Sequence, residues 1–564
     1  MATSTNVSVD GQNFIIKCEY FDNERAKNLP DRTWSQLYKQ WLAPVSKTNA
    51  QYINSVYKAT EIDALALHAI EIALTFVPKG KNFPKDYAFK NPPMHHQMTA
   101  LERAYPLDNF ALFMDMGTGK TFTAINLAGA RYLDDDINGL LVVCPTSVKP
   151  VWLDELEFHC SVPYIAHVHE AGKDKQTDNF IMLNSDKLKV LVIGVESLSQ
   201  GKAYEYADLY CTLHRTMMVI DESSTIKTPP KSKGGKIVPS RTSRCWDMGE
   251  WCAYKIIMTG TPITQGIQDL FAQFRFLDWE IIGNKNFFSF KARYTVSGGF
   301  QNKKIIGYQN VDELIERVKP WTYNVAITDV MDMPEQVYES KYLMPNPTQA
   351  RLLKELGDPY DMSTEMNGMV LECETVLERM IRYQQIVGGH FPFALEDEKG
   401  YDIEVISGKN PKMEELKSII EQLDENRKVI IWARFYPEQK LIADTLVQMG
   451  HHPVWYKGGL DTDERRALVK EFREDSTCRF FVSGGAGYRG LTLVESTLNI
   501  YYSNTFSYDD REQSERRTWR KGQELPVLYI DLTMNHKIDK QILTALKRKE
   551  DLAKFVDSQL REDT

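Results

Sequence analysis

Two short segments of this chain carry residue types suited to phosphate chemistry. The first, Met114–Thr121, reads Met-Asp-Met-Gly-Thr-Gly-Lys-Thr and follows an apolar run. Its glycines allow backbone N–H groups to surround phosphate oxygens at a helix start, where Lys120 can neutralise charge. The second segment is Asp221-Glu222, which closes another apolar run. The Thr121 hydroxyl and the Asp221 carboxylate suit one Mg²⁺ ion, and Glu222 is then left to orient a water molecule, which predicts a nucleoside triphosphate site.

Each segment alone has a plainer explanation. The strict phosphate-loop pattern has glycine where Met114 stands, so Gly117–Thr121 could form only a tight strand-to-helix turn. An acidic pair after a strand commonly begins a helix, because the helix dipole favours carboxylates there. The two segments occur in the expected order, each after its own apolar strand. That combination favours the nucleotide site.

The elements that must position these residues alternate along the chain. Apolar, strand-like runs alternate with helical patterns in two regions, which predicts an α/β fold with two parallel-sheet lobes. The predicted strands are Ala111–Met114, Leu140–Cys144, Val190–Ile193, Met217–Ile220 and Lys255–Met258, then Lys428–Trp432, Phe480–Ser483, Leu498–Tyr502 and Val527–Leu532. The predicted domains are 1–88, a small N-terminal α+β module; 89–278, lobe one; 279–405, a bridge with helical patterns at Gln349–Leu356 and Glu372–Ile386; and 406–564, lobe two.

The N-terminal module combines a strand-like pattern with two tryptophans and several cations. Phe14–Tyr20 alternates like a strand, and Trp34 and Trp41 are seven residues apart, which places them on one face of a predicted helix. One hypothesis is a small hydrophobic core. The other is a nucleic-acid module, because several cations accompany these aromatic residues. The cations are Lys17, Arg25, Lys27, Arg32 and Lys39.

Composition limits the function classes. The chain has 564 residues, of which 43% are hydrophobic and 26% charged, as in ordinary globular proteins. A net charge of −9 argues against a protein coated by nucleic acid, although a local basic groove is compatible with it. The eight cysteines form no Cys-x-x-Cys pair, which argues against zinc and disulfide frameworks. No export signal or membrane-length apolar run is visible, so we expect a cytoplasmic or nucleoid/nuclear protein without membrane contact.

Further motifs follow one another in a characteristic order. They are His96-Gln97, Asp115–Gly117, Val142–Ser147 with Trp152 and Glu155, Met258–Pro262 with Asp269-Leu270, Lys428–Phe435, Ser483–Leu493 and Gln513–Gln523. A basic helix such as the last would alone be a solvated face. In series, the motifs resemble those of the Swi/Snf-type DNA translocases of helicase superfamily 2, over about residues 92–545. In that family's numbering, the segments correspond to motif Ia (Val142–Ser147), motif II (Asp221–Ser224), motif III (Met258–Pro262), motif IV (Lys428–Phe435), motif V (Ser483–Leu493) and motif VI (Gln513–Gln523). The acidic Asp115 variant of the phosphate loop belongs to this resemblance and accounts for the missing glycine.

The resemblance implies two RecA-like lobes that divide one ATP site between them. It implies nucleotide contacts from Gln97, Met116, Gly117, Thr118, Gly119, Lys120, Thr121 and Gly490. It implies catalytic roles for Lys120, Asp221 and Glu222 and for the arginine fingers Arg517 and Arg520, with Mg²⁺ held by Thr121 and Asp221. Candidate contacts to a nucleic-acid backbone are Thr146, Ser147, Lys149, Ser197, Arg434 and Thr492.

Two departures from the family pattern bear on coupling. Ser223 and Ser224 stand where the family usually has Ala-His, and Gly484 and Gly485 stand where Thr and a basic residue are common. We therefore expect ATP hydrolysis to be retained, with altered coupling of motif II to motif III. The basic segment Pro229–Lys236 is interpreted only as a loop.

The expected activity is DNA-stimulated ATP hydrolysis that drives movement on duplex or forked DNA, with annealing or fork remodelling as the outcome. The Arg32-x-Trp34 and Trp41-x-x-Pro44 pattern resembles the HARP-like module of annealing helicases, which implies preference for branched DNA. Alternatives are a remodeller that displaces a DNA-bound protein such as polymerase, a non-hydrolysing scaffold that binds DNA or protein, and an RNA substrate. We expect a monomer with little sequence specificity and strong salt dependence.

Overall fold

The computed structural model describes most of the chain as two compact units. The described residues are 5–9, 13–18, 23–30, 32–36, 38–44, 47–64, 66–67, 70, 81–199, 201–233, 236–298, 304–358, 362–394 and 401–561. Unit 1 comprises Met1–Ala326 and Ala553–Thr564, and unit 2 comprises Ile327–Leu552. The predicted bridge, 279–405, therefore contributes residues to both units.

The N-terminal module of unit 1 is a small α+β structure. Its antiparallel sheet has the strand order β1-β2-β4-β3, and its core includes Phe14, Ile16 and Ile53. The elements are β1 (Asn6–Val9), β2 (Asn13–Lys17), α1 (Asn23–Lys27), β3 (Thr33–Ser35), β4 (Gln40–Pro44) and α2 (Lys47–Val56). The strand predicted at Phe14–Tyr20 is confirmed over residues 14–17 as β2, which ends before Cys18, and residues 19 and 20 lie outside the described part.

The prediction that Trp34 and Trp41 lie on one helix is wrong. Trp34 lies in β3 and Trp41 in β4, and the two residues are direct cross-strand partners. Their ring centroids are 5.0 Å apart. A spacing of seven places residues on one face of a helix, but a tight antiparallel hairpin brings the same two residues opposite each other, and the cross-strand aromatic pair stabilises that hairpin.

A seven-stranded parallel sheet forms the centre of unit 1. Its order is β15-β5-β12-β9-β6-β8-β7, and β6 and β8 are buried along their whole length. The strands are β5 (Asn109–Met114), β6 (Gly139–Cys144), β7 (Tyr164–Val168), β8 (Leu188–Gly194), β9 (Thr216–Asp221), β12 (Tyr254–Met258) and β15 (Thr322–Val325). All five strands predicted here are confirmed, whereas β7 and β15 were not predicted.

Helices and two hairpins complete unit 1. The helices are α3 (His95–Ala104), α4 (Lys120–Leu133), α5 (Lys149–His159), α6 (Asp174–Met182), α7 (Ala203–Leu213), α8 (Arg241–Gly249), α9 (Asp269–Leu277), α10 (Trp279–Ile282), α11 (Phe287–Tyr294) and α12 (Val311–Val318). The antiparallel hairpins pair β10 (Ser232–Lys233) with β11 (Lys236–Ile237) and β13 (Thr295–Gly298) with β14 (Lys304–Tyr308). The segment Pro229–Lys236, interpreted only as a loop, thus contains β10 and the first residue of β11.

Unit 2 has its own parallel sheet, of six strands. Its order is β16-β25-β24-β21-β23-β22. The strands are β16 (Gln336–Leu343), β21 (Val429–Trp432), β22 (Pro453–Tyr456), β23 (Phe480–Ser483), β24 (Leu498–Tyr501) and β25 (Val527–Met534). The four predicted strands are confirmed, and β16 and β22 are additional. Both parallel sheets together confirm the predicted α/β class with two RecA-like lobes.

The remaining elements of unit 2 are helices and two hairpins. The hairpins pair β17 (Ser363–Met366) with β18 (Met369–Glu372) and β19 (His390–Ala394) with β20 (Tyr401–Val405). The helices are α13 (Ile327–Val330), α14 (Pro347–Glu355), α15 (Val376–Val387), α16 (Pro411–Glu421), α17 (Tyr436–Gln448), α18 (Thr462–Glu474), α19 (Tyr508–Glu515) and α20 (Lys537–Leu560), whose last residues belong to unit 1. Helices α14 and α15 confirm the two helical patterns of the bridge.

Within the part of the chain that is described, no helix is both long and apolar enough to cross a membrane.

One buried carboxyl ties together several elements of unit 2. Glu438, near the start of α17, is fully buried, and its Oε2 accepts hydrogen bonds from the Ser503 hydroxyl at 2.5 Å and from the Phe435 N–H at 3.2 Å. A Cβ built on Gly388 would lie 2.1 Å from Oε1. Burial raises the pKa of Glu438 to about 7, although the Ser503 hydrogen bond and the charge of Lys412 oppose the shift.

We expect Glu438 to make the stability of unit 2 depend on pH. Because its folded-state pKa is raised, its contribution is present below about pH 4.5 and is lost as the pH rises through about 7. Glu438→Gln should remove this dependence, and the wild-type-minus-variant difference in unfolding free energy should fall by about 3 kcal/mol over that range. Urea denaturation at several pH values measures it, with the exposed Glu421→Gln as control. Parallel pH profiles of wild type and Glu438→Gln would contradict the prediction.

Candidate nucleotide-binding site

The glycine-rich loop joins a buried strand to a helix in unit 1. Strand β5 ends at Met114, and α4 begins at Lys120. Gly117 and Gly119 have φ values of 81° and 95°, in the left-handed region that favours glycine. The Lys120 ammonium is nearly buried and donates to the carbonyl oxygens of Met114, at 2.9 Å, and Asp115, at 3.2 Å. The loop thus has the strand–turn–helix geometry that the sequence predicts.

Helix α3 packs against this loop through His96 and Gln97. The Gln97 side-chain amide donates to the Thr118 carbonyl at 3.1 Å, and Gln97 Oε1 accepts from the Met94 N–H at 3.0 Å. His96 Nε2 lies 2.8 Å from the same Thr118 oxygen, and burial lowers the pKa of His96, which favours a neutral ring that donates this bond. Gln97 therefore braces the loop, a role that its motif position alone did not reveal. Adenine recognition by Gln97 stays a prediction.

Asp221 ends strand β9 and is 8% exposed. Its Oδ2 accepts a hydrogen bond of 2.9 Å from the indole N–H of Trp152, which α5 holds in the core. Burial raises the pKa of the Asp221 carboxyl, and the Trp152 hydrogen bond and the charge of Lys120 oppose this shift. Thr121, the other predicted Mg²⁺ ligand, is half-buried in the first turn of α4.

Glu222 links motif II to motif III directly. It has a φ of 54°, which is uncommon for a residue with a side chain and turns the chain sharply after β9. The Thr259 hydroxyl donates to Glu222 Oε2 at 3.2 Å and accepts from the Thr261 N–H at 3.0 Å. Because Thr259 is fully buried, its hydroxyl holds the glutamate in one orientation.

A second link uses one of the two serines that depart from the family pattern. The Ser223 hydroxyl donates to Gln273 Oε1 at 2.7 Å, and the Gln273 amide donates to the Pro262 carbonyl at 2.8 Å. Motif II therefore reaches motif III through a hydroxyl and a carboxamide. Gln273 was missed by the sequence analysis, although a glutamine within the apolar helix α9 is the kind of signal that reveals it.

Two of the candidate nucleic-acid contacts of unit 1 lie together at the carboxyl ends of β6 and β8. Both hydroxyls lie next to Gly194, since a Cβ built on this glycine would be 2.5 Å from Thr146 Oγ1 and 3.4 Å from Ser197 Oγ. The N–H and hydroxyl of Thr146 both donate to Glu196 Oε2, at 3.0 and 2.8 Å. The Lys149 ammonium donates to a backbone carbonyl at 2.8 Å, and Ser147 is exposed.

In unit 2, the two predicted arginine fingers share an acceptor. Arg517 is 4% exposed and donates to the Leu491 carbonyl at 2.9 Å and to the Gln513 carbonyl at 2.8 Å. Arg520 is more exposed and donates to the same Leu491 oxygen at 3.2 Å. Motifs V and VI are thus joined at Leu491. Next to it, Gly490 is exposed with a φ of 78°, and Thr492 is half-buried.

Arg434 of motif IV is held within unit 2. Its backbone N–H donates to the Ser503 hydroxyl at 2.8 Å, and its guanidinium donates to Gln384 Oε1. Burial lowers the pKa of Arg434. The contact to a nucleic-acid backbone that the sequence predicts for this residue stays a prediction.

Comparison with known proteins gives two family matches. Residues 96–391 match the family described as SNF2-related domain, and residues 411–522 match the helicase conserved C-terminal domain. The N-terminal module lies outside both matches. The geometry and these matches define the chain as a two-lobed ATPase core of helicase superfamily 2. The chain belongs to the SNF2-related family.

Individual relatives are distant. The putative ATP-dependent helicase/translocase YwqA of Bacillus subtilis (strain 168) is 23% identical over 449 residues, covering 78% of this chain and 45% of the relative. The DNA repair and recombination protein RDH54 of Saccharomyces cerevisiae (strain ATCC 204508 / S288c) is 23% identical over 504 residues, covering 82% and 51%. The chain spans about half the length of these curated relatives.

Solved structures give a similarly distant likeness. The Sulfolobus solfataricus SWI2/SNF2 ATPase core in complex with dsDNA is 21% identical, with a TM-score of 0.37, and the match covers 85% of this chain and 96% of that one.

We predict that Gly119→Ala weakens ATP binding at least about tenfold. Alanine would have to adopt the left-handed conformation, at a cost of about 1–2 kcal/mol, and its Cβ would lie 2.1 Å from Gln97 Nε2. Titration with a fluorescent ATP analogue measures the affinity, and Gly458→Ala, where a Cβ meets open space, is the control. Unchanged affinity in Gly119→Ala would contradict the prediction.

Proposed function

We propose that this chain is an ATPase that DNA stimulates and that moves on duplex or branched DNA. The observation that carries the proposal is that the polar side chains of the phosphate loop, motif II and motif III interact with one another in unit 1. Lys120 lies in the loop, its charge acts on Asp221, and Glu222 receives the Thr259 hydroxyl. Membership of the SNF2-related family supports ATP as the nucleotide and DNA as the substrate.

The residues of unit 1 fit a Mg²⁺–ATP complex. The loop offers backbone N–H groups between two left-handed glycines, and Asp221 is a buried carboxyl whose raised pKa a nearby cation would lower. Lys120 would bind phosphate oxygens, and Thr121 and Asp221 would hold the ion. Bound Mg²⁺ supplies neutralisation of phosphate charge. Glu222, fixed by Thr259, would orient the attacking water.

Unit 2 would supply the arginine that stabilises the transition state. Both Arg517 and Arg520 carry the motif positions, but they differ in exposure. Arg517 is enclosed by bonds to Leu491 and Gln513, whereas Arg520 is more exposed. We therefore assign the γ-phosphate contact to Arg520 and a positioning role within motifs V and VI to Arg517.

ATP turnover should rise when DNA is added, and it should be lost in Lys120→Ala with or without DNA. Phosphate release measured with single-stranded, duplex and forked DNA and with duplex RNA tests this, with the exposed Lys440→Ala as control. No stimulation by any DNA would overturn the proposal, and preferential stimulation by RNA would redirect it. Absence of Mg²⁺-dependent turnover would support a non-hydrolysing scaffold.

In the same assay, Arg520→Ala should lower turnover by about 10³ or more, because an arginine finger contributes about 10³ to 10⁵ in rate. ATP affinity should change little, since the ground state does not need this contact. The matched control is Arg466→Ala, an exposed arginine in α18. A large loss of ATP affinity in Arg520→Ala would instead assign this residue to nucleotide binding.

The N-terminal hairpin supports a preference for branched DNA. Trp34 is 37% exposed beside Trp41, and the Arg32 guanidinium lies 5.8 Å from the Trp41 ring centroid. An exposed aromatic face next to a cation is suited to stacking on unpaired bases and contacting the backbone. We propose that this module directs the ATPase to forks, where annealing or remodelling follows. The name of RDH54, a DNA repair and recombination protein, is consistent with such a role.

Trp34→Ala should remove the preference for forked over duplex DNA and leave duplex-stimulated turnover unchanged. Stacking contributes about 1–3 kcal/mol per base, so affinity for the fork should fall about fivefold or more. Competition binding between fork and duplex measures this, with the highly exposed Phe288→Ala in unit 1 as an aromatic control. Equal fork preference in wild type and Trp34→Ala would contradict the assignment.

Displacement of a bound protein without annealing of a melted bubble would support the remodeller alternative.

A further inference from the structure

The segment that follows Glu222 carries positively charged side chains and no negatively charged ones. Residues 223–246 contain no aspartate or glutamate and six cations, in a chain where acidic residues outnumber basic ones by 77 to 68. The cations are Lys227, Lys231, Lys233, Lys236, Arg241 and Arg244. Such a concentration of one sign creates a local field that attracts a polyanion despite the negative total.

The described residues of this segment include two paired strands. Strands β10 and β11 pair so that Ser232 faces Ile237 and Lys233 faces Lys236, and the Val238 N–H donates to the Lys231 carbonyl at 2.8 Å. We call residues 227–233 and 236–241 the basic hairpin. Lys231 and Lys233 are exposed.

The register of the basic hairpin opposes its own stability. Like charges directly opposite each other on an antiparallel pair are destabilising, and Lys233 and Lys236 are such a pair. The segment itself contains no carboxylate to offset the repulsion. Negative charge bound to this basic segment would offset the repulsion. The arrangement therefore favours a ligand that brings closely spaced negative charges, as successive phosphates of a nucleic acid do.

The base of the basic hairpin is bonded to the ATPase motifs. The Lys227 ammonium donates to the Thr264 hydroxyl at 2.6 Å, and that hydroxyl donates to Asp269 Oδ2 at 3.0 Å. On the other side, the Thr242 hydroxyl donates to the Ile226 carbonyl at 3.3 Å. The first end of the hairpin is thus hydrogen-bonded to the loop that follows motif III, and the residue directly after its second end is hydrogen-bonded to the chain that follows Glu222.

We propose that the basic hairpin is a nucleic-acid contact of this ATPase, which binds backbone phosphates in addition to the motif Ia residues. The exposed lysines act as point charges, so the contact carries no base specificity. The base of the hairpin is hydrogen-bonded to the loop that follows motif III. A nucleic-acid backbone bound to the hairpin would therefore influence the position of motif III, whose Thr259 orients Glu222. This proposal rests on the proposed function, since it presumes that DNA is the substrate.

The test replaces Lys231, Lys233 and Lys236 together with glutamine. Binding of fluorescent duplex DNA is measured by anisotropy from about 50 to about 200 mM salt, where each lost phosphate contact reduces the slope of log affinity against log salt by about 0.9. We expect the slope to fall by about two to three and the affinity at low salt to fall at least tenfold. ATP turnover without DNA should stay unchanged.

Two matched variants separate charge from structure. Replacement of the same three lysines by arginine should retain DNA binding, because charge is preserved. Replacement of Lys417, Lys440 and Lys470 by glutamine removes the same net charge from lysines that each pair with a carboxylate, and should leave the slope unchanged.

The outcomes distinguish this inference from the proposed function. If wild type binds and responds to DNA but the triple glutamine variant has the same affinity and slope, the hairpin inference is overturned. If wild type shows neither DNA binding nor stimulation, the proposed function fails as well. If polyglutamate binds wild type through these lysines while DNA affinity is independent of them, the partner is an acidic protein and the inference is overturned.

Discussion

The parallel direction of the strands in unit 1 is the constraint on which its site depends. Because all seven strands run the same way, each functional segment emerges at the same edge of the sheet. The register fixes this closely: Asp221 is the partner of Met258, and Met114 is the partner of Val325. The Asp115 N–H then donates to the Val325 carbonyl at 2.9 Å, so the first residue of the loop is still held by the sheet. The phosphate loop, motif II and motif III are neighbours for this reason.

The strands at the centre of both sheets could be predicted from sequence because they are buried on both faces. Runs such as Leu140–Cys144 and Met217–Ile220 contain only apolar residues, which is typical of parallel strands. The missed strands lie at or near sheet edges and lack this signal. Strand β16 carries Glu339 and Lys341 and is largely exposed, β7 is only half-buried, and β22 begins with a proline. Their pairing depends on a neighbouring strand rather than on their own composition.

The residues of the candidate site were likewise predictable from sequence, but their surroundings were not. Residue type and order were sufficient for Lys120, Asp221 and Glu222, since phosphate and metal chemistry restricts the choice of side chain. The hydrogen bonds around these residues were not predictable. Gln97 and Trp152 belong to the motif series, but their bonds to Thr118 and Asp221 form only after folding. Gln273 lies outside the series, and its bond from Ser223 likewise depends on the folded helix α9. The tryptophan hairpin shows the opposite error: the spacing of Trp34 and Trp41 fits a helix and a hairpin equally, and the tertiary pairing decides. The serines of motif II are a similar case, because a hydroxyl at Ser223 finds Gln273 where the family pattern would suggest a weakened link.

The hydrogen bond between Trp152 and Asp221 gives the site an optical signal. An indole that is 1% exposed and donates to a carboxylate at 2.9 Å experiences that group's charge directly. Its emission wavelength and quantum yield therefore depend on whether Asp221 is ionised, protonated or neutralised by a cation. The difference spectrum between wild type and Trp152→Phe would isolate this indole from the other nine tryptophans of the chain. Occupancy of the site could then be followed in real time without a labelled nucleotide, on the timescale of a single turnover.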